Sequence, residues 1–185
     1  MNSEAFRRLA APAFVFLVGL ATICGAWVFQ LVGGYVPCAL CLQERLPYYI
    51  GVPLALVSLV AALARAPAWV SRVTLALAGI VFLYGLYLGT YHAGAEWSWW
   101  PGPSDCGGTG LQSGSTGDLL NALKGIRIVS CTEAAWRFPS ARWGLSFAGW
   151  NAAISLALGA VALYGAARGA ATQPHSQAIP AKAGT

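Results

Sequence analysis

Two cysteines lie at the edge of a long apolar stretch, within residues 37–45, which read PCALCLQER. A two-residue spacer separates Cys38 from Cys41, which keeps the sulfurs close and often lowers the pKa of one thiol. The pair precedes a predicted helix, whose unpaired amide groups and positive end favour a thiolate. The pattern favours thiol–disulfide exchange over its two alternatives, a structural disulfide and a zinc site.

Three ionisable residues accompany this pair. Arg45 follows Cys41 by one helical turn, about 6 Å along the axis, so both should share a face. An arginine there can hold a thiolate or bind the oxygen of an apolar electron acceptor, or instead extend to lipid headgroups. Glu44 is either a proton site or a solvated acid at the helix start. His92 lies at the same edge, after the third apolar stretch, and either passes protons or has a structural role.

The remaining cysteines are Cys24, Cys106 and Cys131. Cys106 lies in PSDCGG, whose glycine, proline and serine suggest an exposed segment, and Cys131 lies in VSCTEAAW. A disulfide in such a segment could be reached by the thiolate of a partner, although a purely structural disulfide is the alternative. Zinc is disfavoured because two membrane crossings separate the two pairs, so we predict no metal. Cys24 is expected to be a small apolar residue within the membrane.

The composition places the chain in a bilayer. Of its 185 residues 57% are hydrophobic and 9% are charged, and the mean hydropathy is +0.61. A soluble domain carries about 25% charged residues, so this chain cannot cover a water-facing surface. The net charge of +5 is scattered, without the basic patch that would indicate nucleic acid binding.

Four apolar stretches are long enough to cross the membrane as helices, since about 20 residues span its hydrocarbon core. They cover residues 12–32, 42–64, 70–91 and 144–167, and the first is too long for a signal peptide. We therefore predict an all-α bundle of four transmembrane helices as one domain, 1–168, with outer loops at 33–41 and 92–143. The longer loop contains a short amphipathic helix at 115–128, and a disordered tail is expected at 169–185.

Four crossings place both termini and the middle turn on one side of the membrane. Basic residues lie close to helix ends on that side, so the positive-inside rule makes it cytoplasmic. These residues are Arg7, Arg8, Arg65, Arg72, Arg168 and Lys182. The two other loops then share the outer face, and four of the five cysteines lie where disulfides persist.

The combination of CALCLQER in the first outer loop, YHAG opening the second, and the pair Cys106 and Cys131 around a short helix resembles the disulfide bond formation protein B (DsbB) family. The resemblance covers nearly the whole chain, from the first helix to the fourth. It implies an enzyme of the bacterial inner membrane, with both termini cytoplasmic. Such an enzyme re-oxidises the periplasmic thiol oxidase DsbA and passes the electrons to a membrane quinone, ubiquinone or menaquinone.

The resemblance also implies a role for each site residue. Cys106 and Cys131 would exchange with DsbA, with Cys106 forming the mixed disulfide. Cys131 would then form a transient bond with Cys38 and leave Cys41 as a thiolate beside the quinone. The quinone-associated positions would be Arg45, His92 and Glu44. The second loop, rich in tryptophan and glycine, and the longer tail depart from the family pattern.

Three other functions remain open. A quinone enzyme like vitamin K epoxide reductase is disfavoured because its loop pair precedes its Cys-x-x-Cys. A specialised paralogue would serve a dedicated thiol oxidase. A non-enzymatic membrane scaffold would carry two structural disulfides.

Overall fold

The computed structural model describes residues 3–103, 127–140 and 144–171. Five helices and four very short strands follow one another along these residues. They are α1 (Ser3–Leu31), β1 (Tyr35–Val36), α2 (Ala39–Gln43), α3 (Leu46–Leu63), α4 (Ala68–Glu96), β2 (Arg127–Ile128), β3 (Arg137–Phe138), β4 (Leu145–Ser146) and α5 (Phe147–Ala171).

Four segments of the described residues are long and apolar enough to cross a membrane, which confirms the predicted four-helix membrane fold. They are Arg8–Leu31, Ala39–Leu63, Ala68–Glu96 and Phe147–Arg168. In each of them fewer than half of the residues of the most apolar window are buried, so most apolar side chains face outward. An outward-facing apolar surface is what a lipid environment requires.

The second membrane segment is interrupted between α2 and α3. Pro47 lacks the N–H that would bond the carbonyl of Gln43, and its ring would collide with that carbonyl. Helix α2 therefore ends at Gln43, and α3 begins at Leu46 with Pro47 in its first turn, where proline is tolerated. The break places Glu44 and Arg45 in a turn rather than within a continuous helix.

The bundle is built around α4, which packs against α3 and α5, while α1 packs against α3 and α5. Phe82 of α4 is fully buried at its centre, with Val15 of α1 and Leu158 of α5. Helices α4 and α5 approach closely where Gly89 faces Ala152. A Cβ atom on Gly89 would lie 2.9 Å from the backbone nitrogen of Ala152. Small residues allow such approaches between membrane helices, where packing rather than the hydrophobic effect drives association.

The two outer loops are joined by a short parallel ladder. Strand β1 of the first loop pairs with β2 of the second, with Tyr35 opposite Arg127 and Val36 opposite Ile128. The backbone N–H of Val129 extends the ladder by bonding the carbonyl of Val36 at 3.1 Å. These two loops therefore meet at one end of the bundle, as the parity of the crossings predicts.

Several predicted boundaries differ from the structure or lie outside it: α1 begins at Ser3 instead of residue 12, and α2 begins at Ala39, within the loop predicted at 33–41. Helix α4 continues to Glu96 instead of ending at residue 91, because HAGAE, although less apolar, still forms helix. Of the amphipathic helix predicted at 115–128, residues 127–128 are strand and the others lie outside the described residues. The predicted tail begins within helix, since α5 reaches Ala171; the residues beyond lie outside the described part.

The close approach of α4 and α5 predicts the effect of adding one methyl group. Gly89→Ala should lower the stability by about 1–3 kcal/mol, because backbone atoms of α5 cannot move aside cheaply. Gly25→Ala is the matched control, since a Cβ on Gly25 meets nothing within 4 Å. Thermal unfolding of both variants in the same detergent measures the difference, and equal unfolding temperatures would contradict this packing.

Candidate functional site

Cys38 and Cys41 lie side by side at the start of α2. Cys38 is the N-cap residue, and its Sγ accepts a hydrogen bond from the backbone N–H of Cys41 at 3.2 Å. The two Sγ atoms are 2.8 Å apart, and both residues are free thiols. The predicted position at a helix N-terminus is confirmed. A small movement would bring the sulfurs to the roughly 2.05 Å of a disulfide bond.

The surroundings of Cys38 favour its thiolate. The Cys41 thiol donates a hydrogen bond to the Cys38 sulfur and is the main reason why the pKa of Cys38 falls to about 5, well below the usual range of a thiol. Burial opposes this change, while His92 and the backbone N–H of Cys41 reinforce it. One of two adjacent thiols can ionise because the other donates to it, and Cys38 is the one that also receives the helix N–H.

Cys131 lies against Cys38 although the two come from different loops. It is fully buried, is disulfide-bonded, and packs with Cys38 and Leu40 in a small cluster. The parallel pairing of β1 with β2 explains this meeting, because Cys38 follows β1 by two residues and Cys131 follows β2 by three. Cys106, the other cysteine predicted for this loop, lies outside the described residues.

The Cys38 and Cys131 sulfurs and a ring nitrogen of His92 all lie within 4.8 Å of one another. Soft thiolate and imidazole ligands at this spacing resemble part of a zinc site. However, the Cys131 sulfur is held in a disulfide and is not a thiolate. The arrangement is better suited to attack of one sulfur on another, which needs a thiolate next to a disulfide.

His92 connects Cys38 to an acid. Its Nδ1 lies 2.8 Å from Oε1 of Glu44, and its Nε2 lies 3.9 Å from Sγ of Cys38. His92 and Glu44 are both buried, so the solvated alternative for Glu44 is wrong. His92 belongs to the last turns of α4 rather than to the loop after it. A histidine with acceptors at both ring nitrogens can move a proton between them.

Arg45 is turned into the protein. Its Nη1 donates a hydrogen bond to Oε1 of Gln30 at 2.6 Å, and its guanidinium lies over the ring of Trp27, 5.3 Å from the centroid. With 9% of its surface exposed, Arg45 does not extend to lipid headgroups, and that alternative is wrong. Hydrogen bonding and a cation–π contact offset the cost of burying the charge.

An apolar cavity of about 340 Å³ adjoins these groups. Cys41, Glu44 and Arg45 line it, as do Gln30 and residues of α5, so the break after α2 does not separate Cys41 from Arg45. The aromatic residues in its lining are Phe29, Tyr35, Tyr48, Trp136, Phe147 and Trp150. A volume of this size is within the range of small-molecule sites. His92 is not in the lining and touches the cavity only through Glu44.

The residues that sequence reasoning missed are Gln30, Trp27 and Glu96. Glu96 lies one turn after His92 on α4, is buried, and places Oε1 4.0 Å from Nε2 of His92. Glu96 follows His92 by four residues, a spacing that places both on one face of a helix. The sequence could have revealed this pair only if α4 had been predicted to continue past residue 91. No spacing in the sequence relates Gln30 and Trp27 to Arg45, because the contact is between different helices.

A protein-family model described as Disulfide bond formation protein DsbB matches residues 7–165. The chain belongs to the DsbB family. Membership implies a membrane thiol–disulfide oxidoreductase that acts in disulfide bond formation. No curated protein and no solved structure matches the chain. The DsbB assignment fits the site, where a free thiol pair, a disulfide-bonded cysteine and a cavity adjoin one another.

The hydrogen bonds at Cys38 predict an unusual pH profile for its alkylation. In the reduced protein, iodoacetamide should modify Cys38 at a nearly constant rate from pH 8 down to pH 6. The rate should fall only as the pH drops through about 5, where the lowered pKa lets the thiolate gain a proton. Peptide mass spectrometry after short labelling times measures the rate at this cysteine.

Two controls separate the cause. Cys41→Ala removes the largest stabilising hydrogen bond, so the fall should move to higher pH. Ser58→Ala removes a polar group that bonds Ser71 at a distance from the site and should leave the profile unchanged. A Cys38 rate that rises steadily through pH 8–9 in the unmodified protein would show an ordinary thiol and refute the assignment.

Proposed function

We propose that the protein is a thiol:quinone oxidoreductase that re-oxidises a DsbA-like thiol oxidase and passes the electrons to a membrane quinone. One observation carries this proposal: Cys38 lies between two different neighbours. On one side is the disulfide-bonded Cys131, within 4.8 Å, and on the other is Cys41, which lines the apolar cavity. Electrons entering as thiols at Cys131 therefore have a continuous sulfur route to the cavity.

The exchange steps balance as two-electron transfers. The dithiol of the partner reduces the proposed Cys106–Cys131 disulfide and itself becomes a disulfide, with Cys106 forming the mixed disulfide. The Cys131 thiolate next attacks Cys38 of an oxidised Cys38–Cys41 pair, which forms the Cys38–Cys131 bond and releases Cys41 as a thiolate. Attack by the Cys106 thiolate on Cys131 then restores the loop disulfide and leaves Cys38 and Cys41 reduced.

The cysteines of the structure have the oxidation states expected after the last of these exchange steps. Cys38 and Cys41 are free thiols, while Cys131 is in a disulfide. Both electrons then reside on the pair that adjoins the cavity. Return of this pair to a disulfide completes the cycle and requires an acceptor of two electrons and two protons.

The residues around the cavity fit a quinone. Its lining is mostly apolar, as an isoprenoid-linked ring requires, and Arg45 supplies a charged donor for a ring oxygen. When bound, ubiquinone or menaquinone would supply the sink for two electrons and two protons. Arg45 would orient the ring with Cys41 beside it, and Gln30 and Trp27 would hold the arginine in place.

Glu44 and His92 would carry the protons. Oxidation of two thiols releases two protons as well as two electrons, and both must reach the same acceptor. His92 lies next to the Cys38 sulfur, and Glu44, its partner at 2.8 Å, lines the cavity. A proton taken up by His92 from the thiols can thus be passed to Glu44 without crossing bulk water.

We further propose that the site faces the periplasm from the bacterial inner membrane, with both termini in the cytoplasm. Arg65 lies in the turn between α3 and α4, and Arg168 lies in the last turns of α5, at the end of the bundle opposite the cysteines. The positive-inside rule makes that end cytoplasmic. The sulfur cluster then lies in the compartment of DsbA-like partners. The reduction potential of DsbA is about −120 mV, so its re-oxidation needs a strong final electron acceptor.

The decisive test is catalytic quinone reduction. Purified protein with excess reduced DsbA and a short-chain ubiquinone should reduce the quinone over many turnovers, followed by absorbance. Cys41→Ser should lower the rate by at least about 10³-fold, because no disulfide can form beside the cavity. Cys24→Ser, at an exposed position of α1, should retain the full rate. No turnover by the intact protein would refute the proposal.

The contact between Cys38 and Cys131 predicts a trapped disulfide between the loops. In the double variant Cys41→Ser and Cys106→Ser, mild oxidation should join Cys38 to Cys131, detected as a linked peptide under non-reducing conditions. The matched variant Cys38→Ser and Cys106→Ser retains Cys41, which lines the cavity and lies outside the group of Cys38, His92 and Cys131 whose atoms are all within 4.8 Å of one another. Its linked peptide should be at least several-fold less abundant. Equal yields would contradict a specific route through Cys38.

A further inference from the structure

We propose that Asn151 is a recognition residue for the quinone ring, donating a hydrogen bond from Nδ2 to the ring oxygen that Arg45 does not reach. This inference rests on the proposed quinone function and adds a second binding point to the same cavity. Asn151 lies on α5, in the wall facing α3, and lines the cavity together with Tyr48 and Arg45.

The Asn151 amide is oriented by two hydroxyl groups. The Tyr48 hydroxyl donates to Oδ1 of Asn151 at 2.7 Å, and Oγ of Ser155 lies 3.3 Å from the Tyr48 oxygen. A tyrosine hydroxyl has one proton, so when it donates to Asn151 the Ser155 hydroxyl donates to it. The resulting chain runs Ser155 to Tyr48 to Asn151 and polarises the amide, which strengthens its N–H groups as donors.

The donor at the end of this chain has no acceptor. Nδ2 of Asn151 is buried and makes no hydrogen bond within the described part of the protein. A buried amide without a partner is costly, and most costly among apolar membrane helices, where no bulk water replaces the bond. In the observed orientation the Tyr48 hydroxyl bonds Oδ1 and leaves Nδ2 as the atom without a partner. Because Asn151 lines the cavity, a small shift of the amide toward a bound ligand would let a ligand oxygen supply the missing acceptor.

The position of Asn151 complements that of Arg45. Tyr48, which contacts Asn151, lies three residues beyond Arg45 along α3, about 4.5 Å further into the membrane. The two carbonyl oxygens of a quinone ring point in opposite directions, so one side chain cannot bind both. Arg45 and Asn151 can each bind one. The amide carries no charge and gives up no proton, so its role is to hold the ring rather than to transfer protons.

The donor also favours the oxidised form of the ligand. A carbonyl oxygen is an acceptor only, whereas a quinol hydroxyl accepts more weakly and must also find an acceptor for its own proton. Asn151, with Oδ1 already bonded to Tyr48, has no strong acceptor to offer. Quinone should therefore bind more tightly than quinol, which assists release of the product.

The test compares Asn151→Leu with Ser58→Ala, which removes a buried hydroxyl bonded to Ser71 outside the cavity lining. Asn151→Leu should raise the dissociation constant for a short-chain ubiquinone, and its KM, about 2- to 10-fold, the worth of one hydrogen bond. It should leave kcat unchanged. Ser58→Ala should change neither constant. The quinone-free unfolding temperature should fall little in Asn151→Leu, because the Tyr48 hydroxyl can donate to Ser155 instead, whereas a purely structural asparagine would lower it and leave the dissociation constant unchanged.

Infrared difference spectra of bound quinone with ¹³C in one carbonyl provide a direct signature. Both carbonyl stretches should be shifted down in the unmodified protein, and one should return toward its free frequency in Asn151→Leu. Unchanged affinity and spectra in that variant, with quinone still bound and reduced by the unmodified protein, would overturn this inference alone. If the unmodified protein binds and reduces no quinone, the proposed function fails as well.

Discussion

The pairing of β1 with β2 is the constraint on which the site depends. Two residues on each strand suffice, because parallel strands advance in the same direction and bring the segments that follow them side by side. Cys38 and Cys131, which are 93 positions apart in the sequence, thereby become neighbours. An antiparallel pairing would have sent these segments in opposite directions and separated the sulfurs. The ladder thus performs the alignment that no single helix could provide.

The second constraint is the burial of charged groups at the edge of an apolar bundle. An isolated ionised side chain there is costly, so each needs a partner. Arg45 has Gln30 and the ring of Trp27, while Glu44 has His92. These partners come from different helices, which couples the geometry of the site to the packing of the bundle. The break caused by Pro47 also shapes the site, because it leaves Glu44 and Arg45 in a turn from which both reach the cavity.

The sequence predicted the fold well because length and hydropathy alone specify membrane helices. It also indicated that the loops of Cys38 and Cys131 share one face of the membrane, since four crossings place both on the same side, whereas their contact through β1 and β2 was not predicted. The helix end at residue 91 was wrong because a hydropathy criterion stops at polar residues that still continue a helix, and this hid Glu96. The alternatives for Glu44 and Arg45 required tertiary contacts to resolve. Likewise, the Tyr48–Asn151 bond joins two apolar segments whose relative rotation no local pattern reveals.

The two sulfurs of the Cys-x-x-Cys pair have different surroundings, and this difference gives the site a direction. Cys38 accepts hydrogen bonds from Cys41 and His92 and faces the disulfide-bonded Cys131. Cys41 donates to Cys38 and faces the cavity. A thiolate is both the better nucleophile and the better leaving group, so the sulfur that is stabilised as a thiolate suits exchange with the loop disulfide. From the reduced pair, Cys41, held 2.8 Å from Cys38, closes the bond when two electrons leave on the cavity side.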